Sequence, residues 1–215
     1  MTRYEAAGDD RCVVLSLGSN VGDRLANLQL GLDVLADGGL DLQAVSSVYE
    51  TDPVGGPDQA DYLNAVLLAG SSLPARDILR LCAAAEAAAG RVRIERWGPR
   101  TLDVDMIVYG TEVSADPALT LPHPRAHERA FVLAPWLELD PQAALPGLGA
   151  VAGLLAATSA AGVRRRPELR LALPDRPGRA QPAHRQTAHD GPAPDGPDDR
   201  PATGLAAPEA DAPCT

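Results

Sequence analysis

The chain has 215 residues, 45% of them hydrophobic, and its formal charge of −10 sets 29 acids against 19 basic residues, all arginine. That is ample material for a core, and so acidic a surface disfavours general binding to nucleic acid or anionic membranes. Met1 to Asp10 lacks the apolar core of a signal peptide and no apolar run approaches eighteen residues, so a protein of the cytoplasm is expected, without a membrane span.

The charge is unevenly placed. From Arg164 onward eight arginines balance eight acids, and ten of the twenty prolines fall there, so the excess of acids belongs to the preceding part. A stretch so poor in large apolar residues cannot offset its ordering entropy. Residues 174–215 are therefore expected to be disordered, 1–10 likewise, and 11–173 to form the folded domain. Cys12, Cys82 and Cys214 show no metal-type spacing, which fits a reducing compartment.

In chain order, Cys12 to Leu17 (CVVLSL) reads as a strand that turns through GSNVG into a helix. Asn20 is the expected N-cap, Leu25, Leu28, Leu32 and Leu35 form the buried stripe, and Gly38 and Gly39 stop it. GSNVG matches neither common glycine-rich phosphate loop, and lysine is absent from the chain. A strand follows over Leu40 to Tyr49, then the loop TDPVGGPDQAD, long enough to bind or move, then a strand from Tyr62 to Ala69. Pro74 opens a second helix with Ile78, Leu81, Cys82 and Ala85 inside, and Gly90 ends it. Glu86 lies near its C-terminus.

Arg91 to Asp105, RVRIERWGPRTLDVD, is the densest stretch of chemistry. Arg91, Arg93, Arg96 and Arg100 sit where Gly98 and Pro99 forbid regular helix, so their guanidinium forks are free to converge on a polyphosphate. Asp103 and Asp105 interrupt a strand that runs to Tyr109. Alternation places both carboxylates on one face, about 6.6 Å apart at ~3.3 Å per residue. Two readings fit that pair: a solvent-facing edge, or a site for hard cations such as a pair of Mg²⁺ ions completed by water and phosphate. Beyond it, LPHPRAHERAF brings in His123, Arg125, His127 and Arg129, a second cationic group suited to phosphate. Ala150 to Ala157 suggests a last helix and Glu168 to Leu173 a closing strand. The order implies an α+β fold of the ferredoxin-like βαββαβ type, an antiparallel sheet with two helices on one face and the other face open to ligands. That arrangement also serves RNA-binding modules, and the motifs alone would allow transfer to another heterocycle.

LSLGSNVGDR, SSVYETDPVG, DQADYLNAV, GRVRIERWGPRTLDVDMIVYG and LPHPRAHERAFVLAPWLELDP, in this order, resemble 6-hydroxymethyl-7,8-dihydropterin pyrophosphokinases of folate biosynthesis. The resemblance spans about Cys12 to Leu173. It implies transfer of pyrophosphate from ATP to the pterin hydroxymethyl group, with two Mg²⁺ ions held by Asp103 and Asp105 and with Arg91 and Arg100 set against the phosphates. It implies that Tyr62 and Phe131 sandwich the pterin, that Asn64 reads its polar edge, and that the backbone of Thr51, Asp52 and Val54 completes the contacts. Glu86, Arg93, Trp97, His123 and Arg129 match positions around ATP. ATP and the pterin are the expected partners of a monomer, with no nucleic acid and no membrane among them. Three positions depart from the pattern: Asp52 stands where proline is frequent, the segment from Arg93 to Trp97 is one residue short, and Pro124 replaces an aromatic.

Overall fold

The computed structural model describes residues 11–53, 59–91 and 98–174. The disorder expected of 1–10 and of the tail past Pro174, and the sites expected at Val54, Arg93 and Trp97, lie outside the described residues.

Five strands form the backbone of the main sheet: β1 (Arg11–Ser19), β3 (Tyr49–Thr51), β4 (Tyr62–Ser71), β5 (Asp103–Tyr109) and β10 (Val163–Arg165). They run β10-β3-β4-β1-β5, and β2 (Asp41–Val45) also pairs with β4; every pairing is antiparallel. Helices α1 (Arg24–Asp37) and α2 (Ala75–Ala88) follow β1 and β4. The single strand expected from Leu40 to Tyr49 is broken into β2 and β3. Its cause is Ser46, whose backbone N–H donates to Val66 O at 2.9 Å while its hydroxyl accepts the Val66 N–H at 3.0 Å, so a side chain replaces one rung of the ladder. The N-cap of α1 is Asp23, whose carboxylate accepts the Ala26 N–H at 3.0 Å, and Asn20 is used elsewhere.

Two cores flank the sheet. Val13, Leu15, Leu17, Leu63 and Leu67 meet Leu28, Leu32, Leu35, Ile78 and Cys82 of α1 and α2, all essentially sealed from water. Each such side chain contributes about 1.5–3 kcal/mol by burial. The opposite face is only partly open, contrary to the sequence-based expectation. Helix α3 (Ala130–Leu139) and helix α4 (Val151–Ala157) cover one end of it, with Val132, Leu133 and Trp136 packed on Val14, Val66, Leu68 and Ile107. Two short hairpins, β6 (Ser114–Asp116) with β7 (Leu119–Leu121) and β8 (Ala144–Leu145) with β9 (Gly149–Ala150), connect these parts.

The strand expected from Glu168 to Leu173 is absent. Pairing with β3 falls instead to β10, Val163 opposite Thr51. Residues 168–173 run irregularly, with Leu169, Leu171 and Leu173 against the first core, and the Gln29 amide bonds Ala172 in both directions at 2.9 Å. Two carbonyl–amide bonds to one side chain satisfy backbone that no strand takes up.

Candidate active site

The half of the sheet that α3 leaves uncovered is made polar by three neighbouring strands at the same level. In register, Leu68, Val14 and Val108 form one row, Val66, Ser16 and Asp105 the next, and Asn64, Gly18 and Asp103 the last. Side chains two apart share a face, so the surface turns from apolar to polar within two rows. A cavity of about 210 Å³ opens there; Ser16, Gly18, Asn64, Asp103 and Asp105 belong to its lining. Tyr62, Thr51 and Asp52 bound it on the side of β3, and Arg100, Arg129 and Phe131 on the side of α3.

Asn64 is fixed. It is 3% exposed, and its amide donates to the Thr51 hydroxyl at 2.8 Å. A Cβ at Gly18 would stand 3.0 Å from Asn64 Oδ1, so glycine is needed for the close approach. We expect Gly18→Ala to displace the Asn64 amide and weaken binding at this wall about tenfold while the melting temperature moves by a few degrees. Calorimetric titration of the ring-bearing ligand would check it, and unchanged affinity would remove Asn64 from the recognition of that ligand.

The two aspartates are held differently. Asp103 accepts from Arg91 Nη1 at 2.6 Å on one oxygen and from Arg100 Nη1 on the other. Arg91 also pairs with Glu86, which is 8% exposed and whose Oε1 accepts the Val104 N–H at 3.0 Å. Glu86 thus ties α2 to β5 and, through Arg91, is linked to Asp103 at the cavity. Asp105 Oδ2 accepts from Arg129 Nη1 at 3.0 Å, with His123 Nε2 3.8 Å away. The Arg125 N–H donates to His123 Nδ1 at 3.2 Å, which turns Nε2 toward Asp105. Burial holds the His123 imidazole below its ordinary range, with Asp105 pulling the other way. Arg129 also lies over the Phe131 ring, 5.6 Å from its centre, a cation–π contact joining the cationic and aromatic walls.

Among the sequence-derived site residues, Thr51, Asp52, Tyr62, Asn64, Arg100, Asp103, Asp105, Arg129 and Phe131 meet at one cavity, whereas Arg91, Glu86 and His123 stand behind it. Sequence reading missed several residues of the cavity wall or close behind it. Ser16 and Gly18 left a signal, as small and polar breaks in an otherwise apolar strand. Asn20 was taken for a helix cap, yet it is 4% exposed and joins three segments: its amide donates to Gln59 Oε1 at 2.9 Å and Ala60 O at 3.1 Å, and its Oδ1 accepts the Arg100 N–H at 2.7 Å. The wall from Ala161 to Val163 left none, since only the pairing of β10 with β3 brings it there.

Paired carboxylates among arginines, facing an aromatic and amide wall across one cavity, have the chemistry of a site for a charged group beside a flat ring. The chain belongs to the 7,8-dihydro-6-hydroxymethylpterin-pyrophosphokinase (HPPK) family, whose model matches residues 14–141. It is 52% identical over 147 residues to the 2-amino-4-hydroxy-6-hydroxymethyldihydropteridine pyrophosphokinase of Mycobacterium tuberculosis, covering 64% of this chain and 77% of that one. The Bacillus subtilis enzyme of that name is 43% identical over 129 residues, covering 60% and 77%. Among solved structures, wild-type Plasmodium falciparum HPPK-DHPS with pteroate superposes with a TM-score of 0.54 at 12% identity, covering 69% of this chain. The chain spans 44% of that structure's length, and at this identity the likeness is one of fold.

Proposed function

We infer that this chain transfers pyrophosphate from ATP to the hydroxymethyl group of 6-hydroxymethyl-7,8-dihydropterin, giving the pterin diphosphate and AMP in folate biosynthesis. The observation that carries this reading is the single cavity in which Asp103, Asp105, Arg100 and Arg129 face Tyr62, Asn64 and Phe131. The strand order, with α1 and α2 on one face, supports a ferredoxin-like core to which β10, α3 and α4 are added. Residues 11–173 are the catalytic domain in this reading, working as a monomer in the cytoplasm. No described helix is long and apolar enough to cross a membrane.

Asp103 and Asp105 are the residues that would hold two Mg²⁺ ions. The donor set fits: both carboxylates line the same cavity, and Mg²⁺ characteristically takes one or two carboxylates with waters and substrate phosphates. Bound there, the ions would neutralise phosphate charge and make the attacking hydroxyl more acidic. The protein's own share is positioning and electrostatics. The hydroxymethyl oxygen attacks the β-phosphorus and gives its proton to solvent, while the bond between the β-phosphorus and the oxygen shared with the α-phosphate breaks and AMP leaves with that oxygen. Arg100 and Arg91, released from Asp103, turn their forks to the oxygens on which charge accumulates. Arg129 and His123 serve the nucleotide side, as do Arg93 and Trp97, while Glu86 keeps Arg91 in place. Tyr62 and Phe131 clasp the pterin, Asn64 offers it a donor and an acceptor, and backbone groups of Thr51, Asp52 and Val54 complete the contacts.

AMP formation from ATP and Mg²⁺, followed with and without the dihydropterin, tests the reading; AMP that does not depend on pterin would overturn it. We expect Tyr62→Ala to raise the KM for pterin about tenfold or more, as loss of a stacking ring costs about 1–3 kcal/mol, and to leave the KM for ATP within about twofold. Equal change in both constants would remove Tyr62 from the pterin wall.

A further inference from the structure

The loop between β3 and β4 begins at Asp52, directly after Thr51, and returns at Asp61, directly before Tyr62. One residue of the C-terminal strand holds both ends. Arg164 donates through Nη1 to Asp52 Oδ1 at 2.8 Å and through Nη2 to Asp61 Oδ2 at 2.9 Å. The guanidinium fork spans the loop base as a lysine could not, because its two outer nitrogens are set at a fixed separation. The approach is built into the backbone. Gly162 has φ +77°, a conformation suited to glycine, and a Cβ there would stand 2.6 Å from Asp52 Oδ2, so a larger residue would push the carboxylate from its place beside Arg164. On the far side, Arg24 Nη1 donates to the Asp61 carbonyl at 2.8 Å.

We propose that Arg164 is a positioning residue for the ring-binding wall: it sets the separation of Asp52 and Asp61 and, through them, the placement of Thr51 and Tyr62. This rests on the reading of that wall as the pterin site. Thr51 accepts the Asn64 amide at 2.8 Å, so a shift at Asp52 reaches Asn64 through one hydrogen bond. Without Arg164, two carboxylates close enough to share one guanidinium repel, and the loop base spreads. The three side chains are 46%, 62% and 40% exposed, so these ion pairs add little to global stability. The effect is therefore one on geometry, separable from folding.

The test is an equilibrium titration of the full chain with 6-hydroxymethyl-7,8-dihydropterin, paired with KM values for pterin and ATP, on the wild type, Arg164→Met, Arg164→Lys and the double variant Asp52→Asn with Asp61→Asn. Arg164→Met should weaken pterin binding three- to tenfold, keep the KM for ATP within twofold and leave the melting temperature nearly unchanged. Arg164→Lys should recover part of the loss, since it neutralises without spanning. Adding Arg164→Met to the double variant should cost nothing further, because the partners of the fork are already gone. In 1 M salt, where screening acts within about 3 Å, the wild type should approach Arg164→Met, while the neutral pterin has no charge of its own to screen. Pterin affinity unchanged in Arg164→Met, or pterin and ATP constants rising together, overturns the proposal and leaves the enzyme reading intact. A wild type that neither binds pterin nor makes AMP from it would instead overturn the functional reading and this proposal with it.

Discussion

Replacing Asp103 or Asp105 by Asn should lower kcat by about 10³-fold, roughly 4 kcal/mol in the barrier, while the protein still folds. Asn keeps the shape and removes the charge, so the loss measures what each anion does. At Asp103 the charge balances Arg91 and Arg100, and at Asp105 it faces Arg129 and the His123 ring. The two side chains are only 21% and 33% exposed, yet each lines the cavity, so their removal opens no void in either core. Raised Mg²⁺ should restore part of the rate in Asp105→Asn if the carboxylate serves a cation. Initial-rate assays of AMP over a Mg²⁺ series decide the matter. Turnover within about tenfold of the wild type in either variant would take the carboxylate out of the reaction.

The second large effect is one of stability. Arg91→Met should cost about 3–5 kcal/mol, because the Arg91 and Glu86 side chains are only 9% and 11% exposed and the substitution removes the cation set between the carboxylates of Glu86 and Asp103. For a domain of this size that corresponds to a fall of roughly 10 °C in Tm. Arg91→Met with Glu86→Gln should regain more than half of it, since a neutral amide still accepts the Val104 N–H and takes one negative charge out of the buried cluster. Denaturant unfolding of the two variants measures this. A single variant that loses less than about 1 kcal/mol, or a double variant as unstable as the summed single changes, would show that the pair is not a buried unit. Catalysis should fall as well in Arg91→Met, because of the two arginines proposed to turn to the phosphates only Arg100 is left.

These two effects differ in how readily the sequence discloses them. The aspartates announce themselves: two carboxylates at alternate positions of an apolar strand are costly to bury, so a polar cavity or solvent must lie on their side. The Arg91–Glu86 pair was half legible, as a carboxylate near the end of one element and an arginine just beyond it. That Glu86 is buried, and joins Arg91 to the Val104 backbone, depends on how α2 lies along β5. Val54, Arg93 and Trp97 belong to the expected site but lie outside the described residues.

Local pattern by itself determined α1, α2 and the strands β1, β4 and β5, in their order. Helical spacing of Leu28, Leu32 and Leu35, the glycine stops, and the alternation around Asp103 and Asp105 are short-range consequences of geometry and solvation, readable within a few residues. Family likeness added the roles. Only the tertiary structure decided that Ser16 and Gly18 line the site, that Asn20 joins Gln59, Ala60 and Arg100 while Asp23 caps α1, and that α3 closes half of a face expected to be open. It also decided that β10, rather than residues 168–173, completes the sheet and brings Arg164 to Asp52 and Asp61. Each of these rests on pairing between residues far apart in the chain, where many partners satisfy the same local rules and the choice is made by packing the whole domain at once.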